Sequence, residues 1–422
     1  MVQLVLTKYV KFFKGDKVQM GFSQAVSGMN AASKQLDVIG NNIANSATVG
    51  FKSASISFAD IYAGSKVGMG VKVAAIMQNF NDGIATTTNN SLDVAISGNG
   101  FFRLVDSNGQ AYYTRNGQFQ LDSERNIISA DGLYLTGYLA TGTPPQVQQG
   151  AAPGTLKISQ EMLNASATTK ASLQTNLNSN SKVPAKQPVN ALDADTFNYS
   201  TTITTYDSLG NQRNIQLFYV KTADNQWDVH YLDSSDPNGS LQKAGEMEFD
   251  SSGKLISDPE MTIDINGING SADNSFTLSL AKSSQQNMGK ELGSIKNPVV
   301  NGYAPGDLVG YSINDDGSIY GVYSNQQTML LGQIAMADFA NVNGLEPAGN
   351  NNWRTTINSG IEVLGSANSG TFGSLASGAL ESSNVDMSQE LVNMIVAQRN
   401  YQSNSQTIKT QDQILNTLVN LR

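Results

Sequence analysis

The chain has 422 residues, a formal net charge of −9 and only 14% charged residues. So sparse and acidic a charge excludes a nucleic-acid binder, which needs a basic surface. There is no cysteine and a single histidine, His230, so zinc and iron sites of the usual kinds are excluded and a histidine-based triad has almost nothing to stand on. No catalytic residue, cofactor or metal is expected. A thiol-free chain suits an oxidising space, and the length allows several domains, each with its own core.

Residues 1–19 read unlike the rest. Leu4, Val5, Leu6, Tyr9, Val10, Phe12 and Phe13 alternate with Lys8, Lys11, Lys14 and Lys17. The apolar run is broken by lysines and no small-residue cleavage site follows, so it is a poor secretory signal. It is also too short to cross a membrane. Lys14-Gly15-Asp16 can be encoded by a stretch resembling a bacterial ribosome-binding site, a few codons before Met20. The stretch is therefore expected to be a non-native or upstream leader, with Met20 as the biological start.

From Met20, Phe22, Val26, Met29, Ala32, Leu36, Ile39 and Ile43 recur at three- and four-residue steps. That spacing predicts an amphipathic helix over 20–46. It is expected to close near Asn41–Asn45, where asparagine can take the left-handed cap, with Gly50 marking a turn. Residues 47–90 are rich in Ser, Gly and Thr and read as an extended connector with some strand. Gly64, Gly68 and Gly70 lack a following Gly-Lys-Ser/Thr step and form no phosphate loop.

Clear β-structure begins at Ser91. Leu92–Ile96 alternates, Gly98-Asn99-Gly100 turns, and Phe101–Val105, Ala111–Thr114 and Gln118–Leu121 follow as strands. Asp-x-x-Gly recurs at Asp106, Asp207 and Asp250, and Asn314-Asp315-Asp316-Gly317 is similar. None has a glutamate at the twelfth position, so hairpin turns are preferred to calcium loops. Residues 141–153 read as a linker, and 173–191 as an entry into a second β-region. Strands are expected at 201–206, 214–221, 226–232, 246–249, 261–265 and 276–280. Trp227 should be core, and His230 a strand residue facing solvent or packed locally. Residues 298–302 read as a return linker, after which 307–313, 318–323 and 328–337 resume the first β-character. Residues 365–378 form a Gly/Ser connector.

The last stretch, 379–422, contains neither Gly nor Pro. From Met387 a 4-3 spacing runs through Leu391, Met394, Gln398, Tyr401, Ser405, Ile408, Asp412, Leu415 and Val419 to Arg422. This is a heptad seam with polar flaws, on a helix roughly 50 Å long. Its outer faces carry amides rather than charge pairs, so it should order fully only among other helices. Leu391 and Ile408 are expected to be equivalent, each needed for assembly and neither for the fold of one chain. The fold class is mainly β with a terminal α-helical coiled-coil pair, nested discontinuous β-domains being inserted between the N- and C-terminal helices. The segments are 20–46 with 384–422 (helices), 47–90 with 365–383 (connector), 91–164 with 303–364 (split β-domain) and 165–302 (inserted β-domain).

Three stretches resemble the bacterial flagellar rod and hook axial proteins. Asn41-Asn42-Ile43-Ala44-Asn45-Ser46-Ala47-Thr48-Val49-Gly50-Phe51 is similar to their N-terminal signature, and Leu92–Phe102 to a shared β-domain motif. Glu381-Ser382-Ser383-Asn384-Val385-Asp386, with Glu390–Ile395 and Gln398-Arg399-Asn400-Tyr401, is similar to their C-terminal signature. The resemblance covers 20–422. The length and the insert near 165–302 point to the hook branch; a straight distal-rod-type subunit is the alternative. A secreted carbohydrate-active β-protein is a third reading, but no carboxylate pair is marked as catalytic.

The resemblance implies a homopolymeric curved tube that transmits torque as a universal joint. Its inner layer would be built from terminal-helix residues Phe22, Val26, Met29, Leu36, Ile39, Ile43, Leu391, Met394, Ile395, Tyr401, Ile408, Leu415 and Leu418. The split β-domain would form a middle layer and the inserted one an outer layer, with Gly-rich joints at 64–70 and 365–378 letting layers shift. Residues carried over from the signatures are Asn41, Asn42, Ala44, Asn45, Thr48, Gly50, Phe51, Asn384, Asp386, Gln398 and Arg399. The implied partners are the chain itself, the distal rod protein, the hook cap protein, the hook-filament junction protein and the flagellar type III export apparatus. Neither nucleic acid nor membrane insertion is implied, and the implied location is the exported, extracellular hook.

Overall fold

The computed structural model describes the backbone of residues 2–62, 68–148 and 150–420, with the side chains of 2–20 and 418–420 left out. Two compact units emerge. The first comprises Met1–Ser159, Tyr311–Gly321 and Met329–Arg422; the second comprises Gln160–Gly310 and Val322–Thr328.

The first unit begins with helix α1 (Val2–Ala44) and ends with helix α2 (Met387–Asn420). The helical backbone continues through the expected leader, whose side chains lie outside the described residues. The end of α1 differs from expectation. None of Asn41, Asn42 and Asn45 takes a positive φ, whereas Gly50 does, at 67°. The last turn is satisfied by side chains instead: Asn45 Nδ2 donates to the Asn41 carbonyl at 3.0 Å and Ser46 Oγ to that of Ile43 at 2.9 Å. With its carbonyls already bonded, the helix needs no left-handed cap, and the reversal falls to glycine.

The expected connector at 47–90 is more ordered than its composition suggests. Strands β1 (Ala54–Asp60) and β2 (Val71–Gln78) form an antiparallel hairpin with a register shift at Ser57/Phe58. A lone two-stranded hairpin is marginal in water. This one packs on α1, where the Val71 amide donates to Ser27 Oγ at 3.2 Å. The segment before α2 is also paired. Ser374–Ser377 lies antiparallel to Val94–Ser97, and Ala379–Glu381 to Ala85–Thr87.

These ladders engage part of the expected Gly-rich joint at 365–378. A Cβ on Gly373 would lie 2.1 Å from the Ser97 carbonyl oxygen, and one on Gly365 would lie 2.4 Å from the Phe372 ring. At both positions the glycine permits a close approach that a side chain would block. Of the other expected joint, residues 63–67 lie outside the described residues.

The main sheet of this unit runs Thr328–Ile334, Tyr134–Thr141, Phe101–Val105, Ala111–Thr114, Asn352–Arg354, Glu346–Gly349. Its core gathers Phe101, Tyr113, Phe339 and Trp353, with Phe80 edge-on to Phe101 and Trp353, both at 5.5 Å. The expected linker at 141–153 folds back on this sheet, since Gln146–Val147 pairs with Tyr134–Thr141.

The second unit is a sandwich. A four-stranded meander (Tyr199–Tyr206, Gln212–Ala223, Gln226–Asp233, Gln242–Glu248) faces a five-stranded sheet. Leu217, Tyr219, Trp227 and Val229 from the first meet Leu173, Leu177, Ile263, Phe276 and Leu278 from the second. Trp227 is fully buried and donates Nε1–H to Gln285 Oε1 at 2.6 Å. His230 is half-buried on its strand.

Two expectations fail in this unit. The entry region at 173–191 includes a central strand, Lys170–Asn178, which buries Ala171, Leu173, Thr175 and Leu177. The expected return linker at 298–302 is largely strand: Gly293–Val300 lies antiparallel to Lys170–Asn178. A register shift between Ser172 and Gln174 falls opposite Pro298, where a proline is tolerated.

The Asp-x-x-Gly runs are hairpin turns. Asp106 Oδ1 accepts the amides of Asn108 and Gln110, Asp207 Oδ1 those of Leu209 and Asn211, and Asp250 Oδ1 those of Ser252 and Lys254. Gly109, Gly210, Gly253 and Gly317 all sit at φ 81–83°. The carboxylates are thus committed to backbone amides. Among the described residues no group of acidic, histidine or cysteine side chains is placed to hold a metal.

Candidate assembly surface and signature junction

Helices α1 and α2 pack antiparallel, with Gly21 beside Gln411 and Gly28 beside Asn404. The contact face of α1 is built from small residues: Gly21, Ala25, Gly28 and Ala32. A Cβ on Gly28 would come within 2.8 Å of the Asn404 amide. Small residues let the long amides of α2 lie flat against the α1 backbone.

This shifts the seam. Facing α1 are Glu390, Met394, Ala397, Asn404, Ile408 and Gln411, of which Ala397 is fully buried. Apart from a gap at exposed Tyr401 the 4-3 spacing is kept, but Glu390, Ala397, Asn404 and Gln411 each fall one residue before the expected Leu391, Gln398, Ser405 and Asp412, of which Ser405 is also half-buried. The apolar content of the expected seam therefore divides. Met394 and Ile408 are half-buried against α1, while Leu391, Tyr401 and Leu415 are exposed. Leu391 at 47%, Val392 at 54%, Ile395 at 51% and Val396 at 48% exposure make a continuous uncovered apolar face. On α1, Phe22 is exposed, Val26, Met29, Leu36 and Ile43 are half-buried, and Ile39 is buried. The side chain of Leu418 lies outside the described residues.

Several polar side chains of α2 bond within the helix. Thr407, Thr410 and Thr417 donate to carbonyls four residues back, and so does Asn404. Asp386 caps the N-terminus, its Oδ1 accepting the Gln389 amide at 3.1 Å. Gln398 and Arg399 stand exposed further along the helix.

The signature residues converge where the helices meet the β-body. Asn42, 1% exposed, accepts the Ala54 amide at 2.9 Å and donates to the Ala54 carbonyl at 2.8 Å, imitating a neighbouring strand. Asn384 accepts the Ser53 amide at 2.8 Å and donates to the carbonyls of Asn79 at 2.7 Å and Asn81 at 2.9 Å. Thr48 Oγ1 donates to Asn45 Oδ1 at 3.1 Å, and Asn351 Nδ2 to the Val49 carbonyl at 3.0 Å. A Cβ on Gly50 would meet the Asn116 amide nitrogen at 2.6 Å. Phe51 is half-buried; Asn41 and Ala44 are exposed.

At the centre lies a charge cluster that the sequence reading did not single out. Lys52 Nζ donates to Glu381 Oε1 at 2.7 Å and to the Asn81 carbonyl at 2.8 Å. Both ionised side chains are 1% exposed. Arg115 Nη1 lies 3.6 Å from Glu381 Oε2 and 3.2 Å from Asp82 Oδ1, and the guanidinium sits 5.3 Å above the Phe101 ring. Glu381 also accepts the Gly83 amide at 2.7 Å, and its backbone carbonyl accepts the Gly50 amide at 2.8 Å. Burial, followed by the nearby Arg115 charge, holds the Lys52 ammonium below its usual pKa. Lys52 directly follows the matched N-terminal stretch and Glu381 opens the C-terminal one. In a chain this poor in charge, ions at those two places were the available signal.

Comparison with known proteins follows this layout. The descriptions that match are "Flagella basal body rod protein" at 23–52, "Flagellar hook protein FlgE/F/G D1 domain" at 95–170, "Flagellar basal body protein FlaE D2 domain" at 176–303 and "Flagellar basal body rod FlgEFG protein C-terminal" at 376–421. A flagellar hook protein FlgE of Escherichia coli K12 is 58% identical over 405 residues, covering 96% of this chain and 100% of its own. That of Rhizobium meliloti is 35% identical over 413 residues, covering 94% of this chain and 97% of its own. The crystal structure of Helicobacter pylori flagellar hook protein FlgE2 shares the fold, with TM-score 0.52 at 15% identity, over 70% of this chain and all of that one.

Proposed function

The chain belongs to the flagellar hook protein family, and from that premise we propose that the terminal helix pair is the surface through which its copies join into the hook. The subunit is structural. One observation carries the reading: Leu391, Val392, Ile395 and Val396 stand uncovered side by side on α2. Such a face on a long helix is stable in water only when another helix covers it.

In this reading copies pack their α2 faces into an inner layer, the β-body of the first unit forms a middle layer and the sandwich an outer one. The tube is curved and flexible and transmits torque to the filament in motility. Its role is mechanical and not enzymatic. It leaves the cell through the flagellar type III export apparatus, meets the distal rod protein at one end and the hook-filament junction protein at the other, and is assembled under the hook cap protein.

Electron microscopy of the purified, polymerised protein tests this. Curved tubes with a helical inner layer are expected. Straight, rigid cylinders would favour a distal-rod-type subunit, and tubes whose inner wall is β-structure would refute the role given to the helices.

A further inference from the structure

Asparagine followed directly by glycine occurs eight times in the chain. This dipeptide carries chemistry of its own, because a glycine amide nitrogen, with no Cβ beside it, can reach back to the asparagine side-chain carbonyl. The fold restrains seven of the eight steps. The amides of Gly109, Gly239 and Gly344 donate to the carbonyls of Asp106, Asp236 and Asn341 at 2.9–3.0 Å, and that of Gly267 to Asp273 Oδ1 at 2.7 Å. The Asn99 carbonyl accepts the Gly373 amide at 2.9 Å, which pins the peptide plane that would have to turn. Asn116 Oδ1 accepts the Gln118 amide at 3.1 Å. Asn301 is held at both ends of its side chain, by Thr169 and the Lys170 amide.

The eighth step, Asn269-Gly270, is unrestrained. It is the tip of a turn on the sandwich, closed at its base by the Ser271 amide and Oγ, which both donate to the Ile268 carbonyl, at 3.0 and 2.9 Å. Both tip residues are exposed. Neither the Asn269 side chain nor the Gly270 amide bonds to another described residue. A Cβ on Gly270 would meet nothing within 4 Å. Backbone φ is 54° at Asn269 and 88° at Gly270, as a type I′ turn requires. To close a five-membered ring through its own Cα, Cβ and Cγ and the next nitrogen, an L-residue must bring Cβ and that nitrogen into eclipse. This places ψ at about −120°, the value at the first central residue of a type II′ turn, whose φ matches that of type I′. Rotation of the single peptide plane between Asn269 and Gly270 therefore carries the turn from resting to reactive geometry, and glycine accepts the reversal of its own φ.

We propose that Asn269-Gly270 is a site of spontaneous covalent modification, converting through a succinimide to aspartate and isoaspartate with water as co-reactant. The Gly270 nitrogen gives its proton to a solvent base and bonds to Asn269 Cγ; the Cγ–Nδ2 bond breaks and Nδ2 leaves as ammonia. Water then opens the ring. Attack at Cγ restores the original backbone with an aspartate, and attack at the backbone carbonyl routes the chain through the side chain as isoaspartate. Either product sets a carboxylate where an amide stood, so each copy gains a negative charge on its sandwich as it ages, in a chain already at −9. The modification is a property of one chain and stands apart from the hook-subunit reading.

The test is to age the unmodified full chain at mildly alkaline pH, digest it at acid pH and map it by mass spectrometry with isoaspartate-specific labelling. The same chain unfolded in guanidinium chloride gives each step its unrestrained rate. In the folded protein Asn269 should convert within about threefold of its unfolded rate, whereas Asn116 and Asn301 should be slowed about tenfold or more, since their hydrogen bonds must break first. Slowing of Asn269 to the extent seen at Asn301 would overturn the inference. The rate at Asn269 should also rise with pH, because base removes the Gly270 proton, and a rate indifferent to pH would rule out attack by that nitrogen.

Discussion

At the scale of single residues, burial decides what each charge does. Breaking a buried ion pair by removing one partner strands the other and costs about 3–5 kcal/mol, whereas removing both is far cheaper. Lys52→Met should therefore destabilise the first unit by about 3 kcal/mol in denaturant titration, and the double variant with Glu381→Gln by distinctly less. His230 offers a second test, because it is the chain's only imidazole. Burial lowers its pKa below 6.5, outweighing the neighbouring Asp228 carboxylate, while Lys243 lowers it further. The unfolded chain thus takes up the proton first as pH falls. His230 should cost stability progressively from pH 6.5 down to its own folded pKa, and no more below it. A proton NMR titration should show one imidazole with a midpoint under 6.5, and His230→Gln should flatten that part of the stability curve. For Asp207, burial raises the pKa, but hydrogen bonds from Asn211 and the Leu209 amide win and lower it. Its contribution is present above pH 3.8 and lost as pH falls through its folded value.

At the scale of elements, Leu391 and Ile408 are not equivalent, although the heptad spacing places them on one seam. Leu391→Asp alters the uncovered face and should abolish tubes while shifting the monomer melting temperature little. Ile408→Asp puts a carboxylate against α1 and should loosen the helix pair in the monomer, seen as lost helical circular dichroism. Gly373→Ala should destabilise the first unit by about 1–3 kcal/mol, since the obstruction is the Ser97 backbone and cannot swing away. The helices and the strands with clear alternation were legible because burial on one face writes its period into the sequence. Lys170–Asn178 was not, because its outward positions and one inward position are Ser, Thr, Gln and Asn, which read as loop. The seam shift was invisible for another reason. It depends on the small residues of α1, and a one-helix pattern carries no record of what faces it.

At the scale of the whole molecule, each unit has its own core, and the helix pair carries a run of uncovered apolar residues on successive turns of α2. Removing 387–422 should leave the sandwich spectroscopically intact and its Trp227 emission unchanged, but give no tubes on electron micrographs. Normal tubes from that truncation would refute the helical inner layer. The described residues contain no helix long and apolar enough to cross a membrane. The acidic composition agrees with a surface that meets other copies of itself rather than phosphate. Legibility follows the same division. Signature stretches located the junction, but the ions at its centre could be recognised as partners only once the fold had brought residues 52, 82, 115 and 381 together.

That separation along the chain also sets a clock. Contacts between residues 329 apart cannot form until nearly the whole polypeptide is available, whichever end comes first. The helix pair likewise needs both termini. The sandwich, by contrast, is closed by a single internal stretch and a short return, and can condense early. Folding from an extended chain thus passes through a stage in which the sandwich is folded but the contacts between distant residues are not. The helix pair proposed to join copies is therefore completed last, once both termini are present.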